Sequence, residues 1–114
     1  MVNRVVVGAH YGLRDWLAQR ITAVIMAVYT LVVLGVVLTG PPMTFIAWRE
    51  LFATGWMRVA TLLFAASLAW HAWVGVRDII MDYVKSTAVR LTLEALVLLT
   101  IACYVAWAVQ ILWR

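Results

Sequence analysis

The sequence predicts an all-α membrane protein: three transmembrane helices led in by an N-terminal amphipathic helix lying at the membrane interface. Composition comes first. The 114 residues are 67% hydrophobic with a mean hydropathy of +1.00, well above the roughly 45 to 50% apolar usage of soluble domains. The charges, moreover, stand singly and leave three apolar runs long enough to cross a bilayer. Finally, a chain of this length can bury only about two thirds of its surface, so most of the apolar surface must meet lipid or partner chains. A single domain over residues 1–114 is expected.

The net charge of +4 comes from nine Lys and Arg against five Asp and Glu, with no basic run or helical stripe. That distribution excludes nucleic-acid binding and reads as topology signals at the ends of apolar segments. Cys103 is the lone cysteine. It rules out a disulfide framework or cysteine metal site within the chain and is expected to be a small buried apolar residue.

Taken in order, Met1 to Arg20 carries Arg4, His10, Arg14, Asp15 and Arg20, with Leu13, Trp16, Leu17 and Arg20 at helical spacing. This is the amphipathic lead-in. The apolar run that follows is too long for the core of a signal peptide, so the N-terminus is expected to be retained. The first span is residues 21–40, twenty residues without a charge, ended by Gly40-Pro41-Pro42 because prolines remove backbone donors. Between Pro42 and Trp56, the spacing of Phe45, Trp48, Leu51 and Phe52 predicts a short helix on the membrane surface.

The second span is residues 58–83. Its uncharged run Val59–Val76 is just long enough to cross, and Ile79, Ile80 and Met81 continue the helical pattern to Tyr83, beyond the bilayer. Ser86 and Thr87 are N-cap candidates for the third span, residues 90–113, whose Glu94 stands four residues after Arg90 at ion-pair spacing. Three spans put Arg4, Arg14, Arg20, Arg77, Lys85 and Arg90 on one side and Arg49, Arg58 and Arg114 on the other. Six against three places the N-terminus in the cytoplasm. Trp16, Trp48, Trp56 and Trp113 fall at span ends, where aromatic belts sit.

Neither a nucleophile with its base nor a pair of close carboxylates appears, so nothing supports hydrolytic or group-transfer chemistry by this chain alone. One ionisable group lies deep in an uncharged run: His71. At about 100° per residue, Phe64, Ser67, Leu68, His71, Gly75, Asp78 and Asp82 share a helix face, with His71 between two small residues one turn away on either side. Such a histidine can hydrogen-bond a neighbouring helix, move protons or ligate a cofactor, and the small neighbours leave room for a large flat ligand.

As an axial haem ligand, His71 would need a second ligand from the same depth, about 7 to 8 Å below the cytoplasmic interface. His10 precedes the first span and cannot reach it, so a bis-histidine site requires a second chain. Arg20 is a candidate partner for a haem propionate, with a snorkelling anchor as its plainer role. Tyr83, three turns beyond His71, can donate to a carbonyl, and the adjacent Asp82 can orient water or relay a proton. An interfacial tyrosine beside a solvated carboxylate is the structural alternative.

His71 followed after ten residues by Asp82-Tyr83-Val84-Lys85, with Gly75 between, and the lead-in Arg14-Asp-Trp-Leu-Ala-Gln-Arg20-Ile-Thr-Ala, resembles the hydrophobic membrane anchor subunit of succinate dehydrogenase, the cytochrome b small subunit of respiratory complex II. The resemblance covers essentially the whole chain. It implies a non-catalytic subunit in the bacterial inner membrane that works with a flavoprotein, an iron-sulfur subunit and a sister cytochrome b anchor subunit. His71 would supply this chain's axial ligand to the iron of haem b, shared with the sister anchor. Tyr83 would hydrogen-bond ubiquinone, with Asp82 near the quinone and Arg20 at a haem propionate. Arg77 matches no role in the family. Two rivals stand beside this reading: a small membrane transporter, which would more naturally carry an acidic residue mid-span, and a haem-free structural anchor. A fumarate reductase anchor is a close relative that the sequence hardly separates.

Overall fold

The structure, a computed structural model, describes residues 7–114, with side chains described from residue 12 onward. The charge assigned to Arg4 and the reach of the His10 side chain lie outside that part. The described chain is four helices: α1 Val7–Thr39, α2 Phe45–Ala53, α3 Gly55–Tyr83 and α4 Thr87–Leu112. Three stretches are long and apolar enough to cross a membrane, Gly12–Thr39 within α1, then α3 and α4. The all-α, three-span class is as the sequence predicts.

The start of the chain differs from expectation. α1 runs unbroken for 33 residues, about 50 Å at about 1.5 Å per residue, so no separate lead-in helix precedes the first span over the described residues. No proline interrupts the stretch between the lead-in and the span, and the threonines within the helix satisfy themselves against it. Thr22 and Thr30 donate to the carbonyls of Ala18 and Met26 at 2.6 and 2.8 Å, the means by which a hydroxyl sits in an apolar helix. α1 stops where expected. The Gly40 N–H closes on the Val36 carbonyl at 3.0 Å, and a Cβ at residue 40 would stand 2.7 Å from that oxygen, so this exit requires glycine.

α2 falls on the predicted Phe45–Phe52 stretch. Thr44 caps it, its Oγ1 accepting from the Ala47 N–H at 3.1 Å, and Trp48 meets Phe52 with ring centroids 5.0 Å apart. A single residue, Thr54, joins α2 to α3. Its hydroxyl donates to the Leu51 carbonyl at 2.7 Å, while Arg58 Nε donates to the Phe52 carbonyl at 3.3 Å, so the first turn of α3 satisfies the last carbonyls of α2. At the other end of α3, Ser86 is the N-cap of α4. Arg90 does not pair with Glu94; its Nη2 donates to the Val84 carbonyl at 3.0 Å. The carbonyls left open at the end of α3 compete successfully for that guanidinium.

α3 is the central helix, with α1, α2 and α4 all packed on it and no comparable packing between α1 and α4. Its Met57 and Val74 are 1% exposed and are the most enclosed side chains described. The outer faces remain apolar, with Leu31, Leu38, Leu99 and Trp107 exposed, as lipid- or partner-facing helices must be. Cys103, expected to be buried, is also exposed on α4, because α4 has a neighbour on only one side.

α1 and α3 run antiparallel. From one end of the seam to the other, Asp15 pairs with Arg77, Thr22 meets His71, and Tyr29 stacks on Phe64 with centroids 4.5 Å apart while its hydroxyl lies 2.8 Å from Thr61 Oγ1. Asp15–Arg77 is the one ion pair among the described residues, its side chains 31% and 27% exposed. Asp15→Asn or Arg77→Gln should each weaken α1–α3 association by about 1 kcal/mol, the scale of a partly exposed pair. A double-mutant cycle in detergent, read by denaturant-driven unfolding, checks this; additive losses would mean that the two residues do not interact.

Candidate functional site

The site is organised by the face that α3 turns to α1. Phe64 is covered by Tyr29, Ser67 is 5% exposed, and a Cβ added at Gly75 would lie 3.8 Å from Gln19 Nε2. That is an ordinary van der Waals distance, so Gln19 of α1 packs beside residue 75 without requiring a glycine there. The sequence reading assigned that space to a ligand, whereas the structure gives the side of Gly75 to a helix.

His71 lies in the middle of this face, half-buried. Its Nδ1 is 3.0 Å from Thr22 Oγ1 on α1. Thr22, 8% exposed, sits in the same seam, its Oγ1 also 2.6 Å from the Ala18 carbonyl and 3.2 Å from that of Gln19. The second ring nitrogen, Nε2, has no hydrogen-bond partner among the described residues. The buried side-chain atoms without a partner are Gln19 Oε1, Arg77 Nε and Arg90 Nε, so Nε2 reaches the surface of the chain. One edge of the ring is thus held within the chain, and the other is presented outward with a free donor atom.

Arg20 is not brought to His71. It stands two residues before Thr22, about 160° round α1 from it, with its guanidinium 5.5 Å over the Trp16 ring. Along the axis, however, it is only about 3 Å from the Thr22 level. Tyr83 and Asp82 are kept together and apart from His71, about 18 Å further along α3. Tyr83 is the last residue of that helix and 81% exposed, its phenol unengaged among the described residues. Asp82 is exposed, and its backbone carbonyl accepts from Lys85 Nζ at 3.4 Å. Glu94 is seven residues into α4 and half-buried, near one end of the span and not in its middle.

The sequence reading passed over Thr22, and it left Arg77 without a role. Thr22 is one of several threonines in apolar runs, and nothing local distinguishes the one that meets a histidine. Arg77, beside the Trp73 ring at 6.0 Å and paired with Asp15, did carry a signal: both charges flank spans on the same side of the membrane, where antiparallel helices bring them level.

Comparison with known proteins agrees with this architecture. The model of a family described as succinate dehydrogenase/fumarate reductase transmembrane subunit matches residues 3–107. A Coxiella burnetii (strain RSA 493 / Nine Mile phase I) protein described as a succinate dehydrogenase hydrophobic membrane anchor subunit is 41% identical over 102 residues, which is 90% of this chain and 89% of that protein. With three spans, the middle one central, and a match across most of its length, the chain belongs to the succinate dehydrogenase/fumarate reductase transmembrane subunit family.

Proposed function

We propose that this chain is the hydrophobic membrane anchor of a succinate dehydrogenase, holding one face of haem b through His71 and one end of ubiquinone through Tyr83. The observation that carries the reading is the His71 imidazole: half-buried within the span, tied to α1 through Nδ1, with Nε2 free at the chain surface. That donor set fits an iron shared with a second chain, because one neutral imidazole fills one axial position and the other must come from a partner. Bound there, haem b supplies a one-electron carrier within the membrane.

The remaining work falls to residues of this chain. Arg20 lies at nearly the same depth but on the far side of α1, so its guanidinium would reach a propionate only by leaving the Trp16 ring. Tyr83 donates its phenol proton to a quinone carbonyl, and its exposure at the end of α3 leaves it open to an iron-sulfur subunit and a sister anchor docking on that side. Asp82 beside it orients water for the protons that quinone reduction consumes. The succinate-oxidising chemistry belongs to the flavoprotein and iron-sulfur subunits. The transporter alternative finds no support in Glu94, which lies near an interface.

The charge asymmetry supports a bacterial inner-membrane location with the N-terminus cytoplasmic. A reporter fused after Arg114 should then be active as alkaline phosphatase and dark as a green fluorescent protein; the reverse pattern overturns the orientation. In the complex purified with its partner subunits, His71→Ala should abolish the low-spin b-type spectrum while dye-coupled succinate oxidation continues. An unchanged spectrum would remove His71 from the iron. Tyr83→Phe should lower quinone reduction about tenfold, the ~1.4 kcal/mol of one lost hydrogen bond, with dye-coupled oxidation unaffected. Equal losses in the two assays would point to assembly, not quinone binding.

A further inference from the structure

We infer that Thr22 is a positioning residue for His71, fixing the tautomer and plane of the imidazole so that Nε2 is the nitrogen presented to iron. The inference rests on the haem reading above and adds a residue to it. The argument is one of counting protons. A hydroxyl has one proton and two lone pairs. Thr22 Oγ1 lies 2.6 Å from the Ala18 carbonyl oxygen, an approach that is repulsive unless a proton lies between two atoms that otherwise both accept. The hydroxyl proton is therefore spent on Ala18. The 3.0 Å contact from Thr22 Oγ1 to His71 Nδ1 can then be a hydrogen bond only if Nδ1 carries the proton and donates it. Imidazole in that tautomer keeps its lone pair on Nε2, the atom that reaches the chain surface.

The arrangement is stiff. The bond to Ala18 locks the Thr22 rotamer against its own helix, and with Thr22 8% exposed water has little access to compete for Nδ1. A buried polar group in an apolar seam keeps the partner it has, since losing it leaves both groups unsatisfied. Metal-bound histidines characteristically donate their other N–H, which orients the ring and strengthens it as an electron donor. Here the acceptor is a threonine hydroxyl on the neighbouring helix, so ring orientation and α1–α3 packing are the same contact.

The test uses the complex purified with its partner subunits and compares wild type with Thr22→Val and Thr22→Ser. Valine keeps the shape and removes the acceptor; serine keeps the acceptor and removes a methyl. The readouts are the haem midpoint potential, the low-spin electron paramagnetic resonance spectrum and the rate of haem transfer to apomyoglobin. Thr22→Val should release haem about tenfold faster, with a more positive potential and a broadened spectrum, while Thr22→Ser behaves as wild type. The opposite order, with valine like wild type and serine impaired, would make Thr22 a packing residue and overturn the inference. Thr22→Ala supplies the same hydroxyl deletion where the valine complex does not assemble, and a serine complex that has lost its haem overturns the inference by itself. A wild-type complex without a b-type spectrum overturns the haem reading and this one together, whereas a normal wild-type spectrum unchanged in Thr22→Val overturns this one alone.

Discussion

In hydrocarbon, apolar side chains gain little by leaving lipid for one another, so close approach and polar contacts decide which helix faces meet. The α1–α3 seam is built from such contacts: an ion pair near one end, a threonine–histidine contact in the middle, and a stacked tyrosine whose hydroxyl meets a threonine further along. The three levels determine the register of two long helices, and that register determines which nitrogen of His71 faces outward. The remaining elements are arranged on α3, which carries α2 and α4 on its other sides.

This dependence explains why the histidine is half-buried although its proposed ligand lies outside the chain. A side chain fully in lipid would have neither a fixed direction nor a satisfied second nitrogen, and one fully enclosed could not reach a partner's cofactor. Placing the ring at the edge of a helix pair meets both demands. It also makes the proposed ligand part of the packing, so changes on α1 can be felt at His71 without touching its outward nitrogen.

Spans, caps and breaks were legible in the sequence because each has a local cause. Uncharged length marks a span, Ser86 marks a helix start, and Gly40-Pro41-Pro42 marks an end. His71 stood out for the same reason, as an ionisable group inside an uncharged run. What the sequence concealed were relations between distant residues. Thr22 and His71 are 49 positions apart, and only the relative rotation of two helices makes them neighbours. That rotation also turned Gly75 toward α1, and it left Arg20 on the far side of α1 despite its matching depth. The expected break at Arg20 failed on a different ground: charges at an interface do not end a helix when the backbone can continue its own hydrogen bonds through them.

The unbroken α1 has a mechanical consequence. Fourteen of its 33 residues precede the uncharged run, about 21 Å of helix. On the same side α3 extends only about 10 Å past its own uncharged run, over Arg77 to Tyr83. The two overhangs are tied at Asp15–Arg77, and beyond that tie α1 runs on for eight residues to Val7 and α3 for six to Tyr83, about 12 and 9 Å. The result is a pair of posts of nearly equal reach braced partway up, so that a sideways push on either tip meets the brace before it reaches the level of Thr22 and His71.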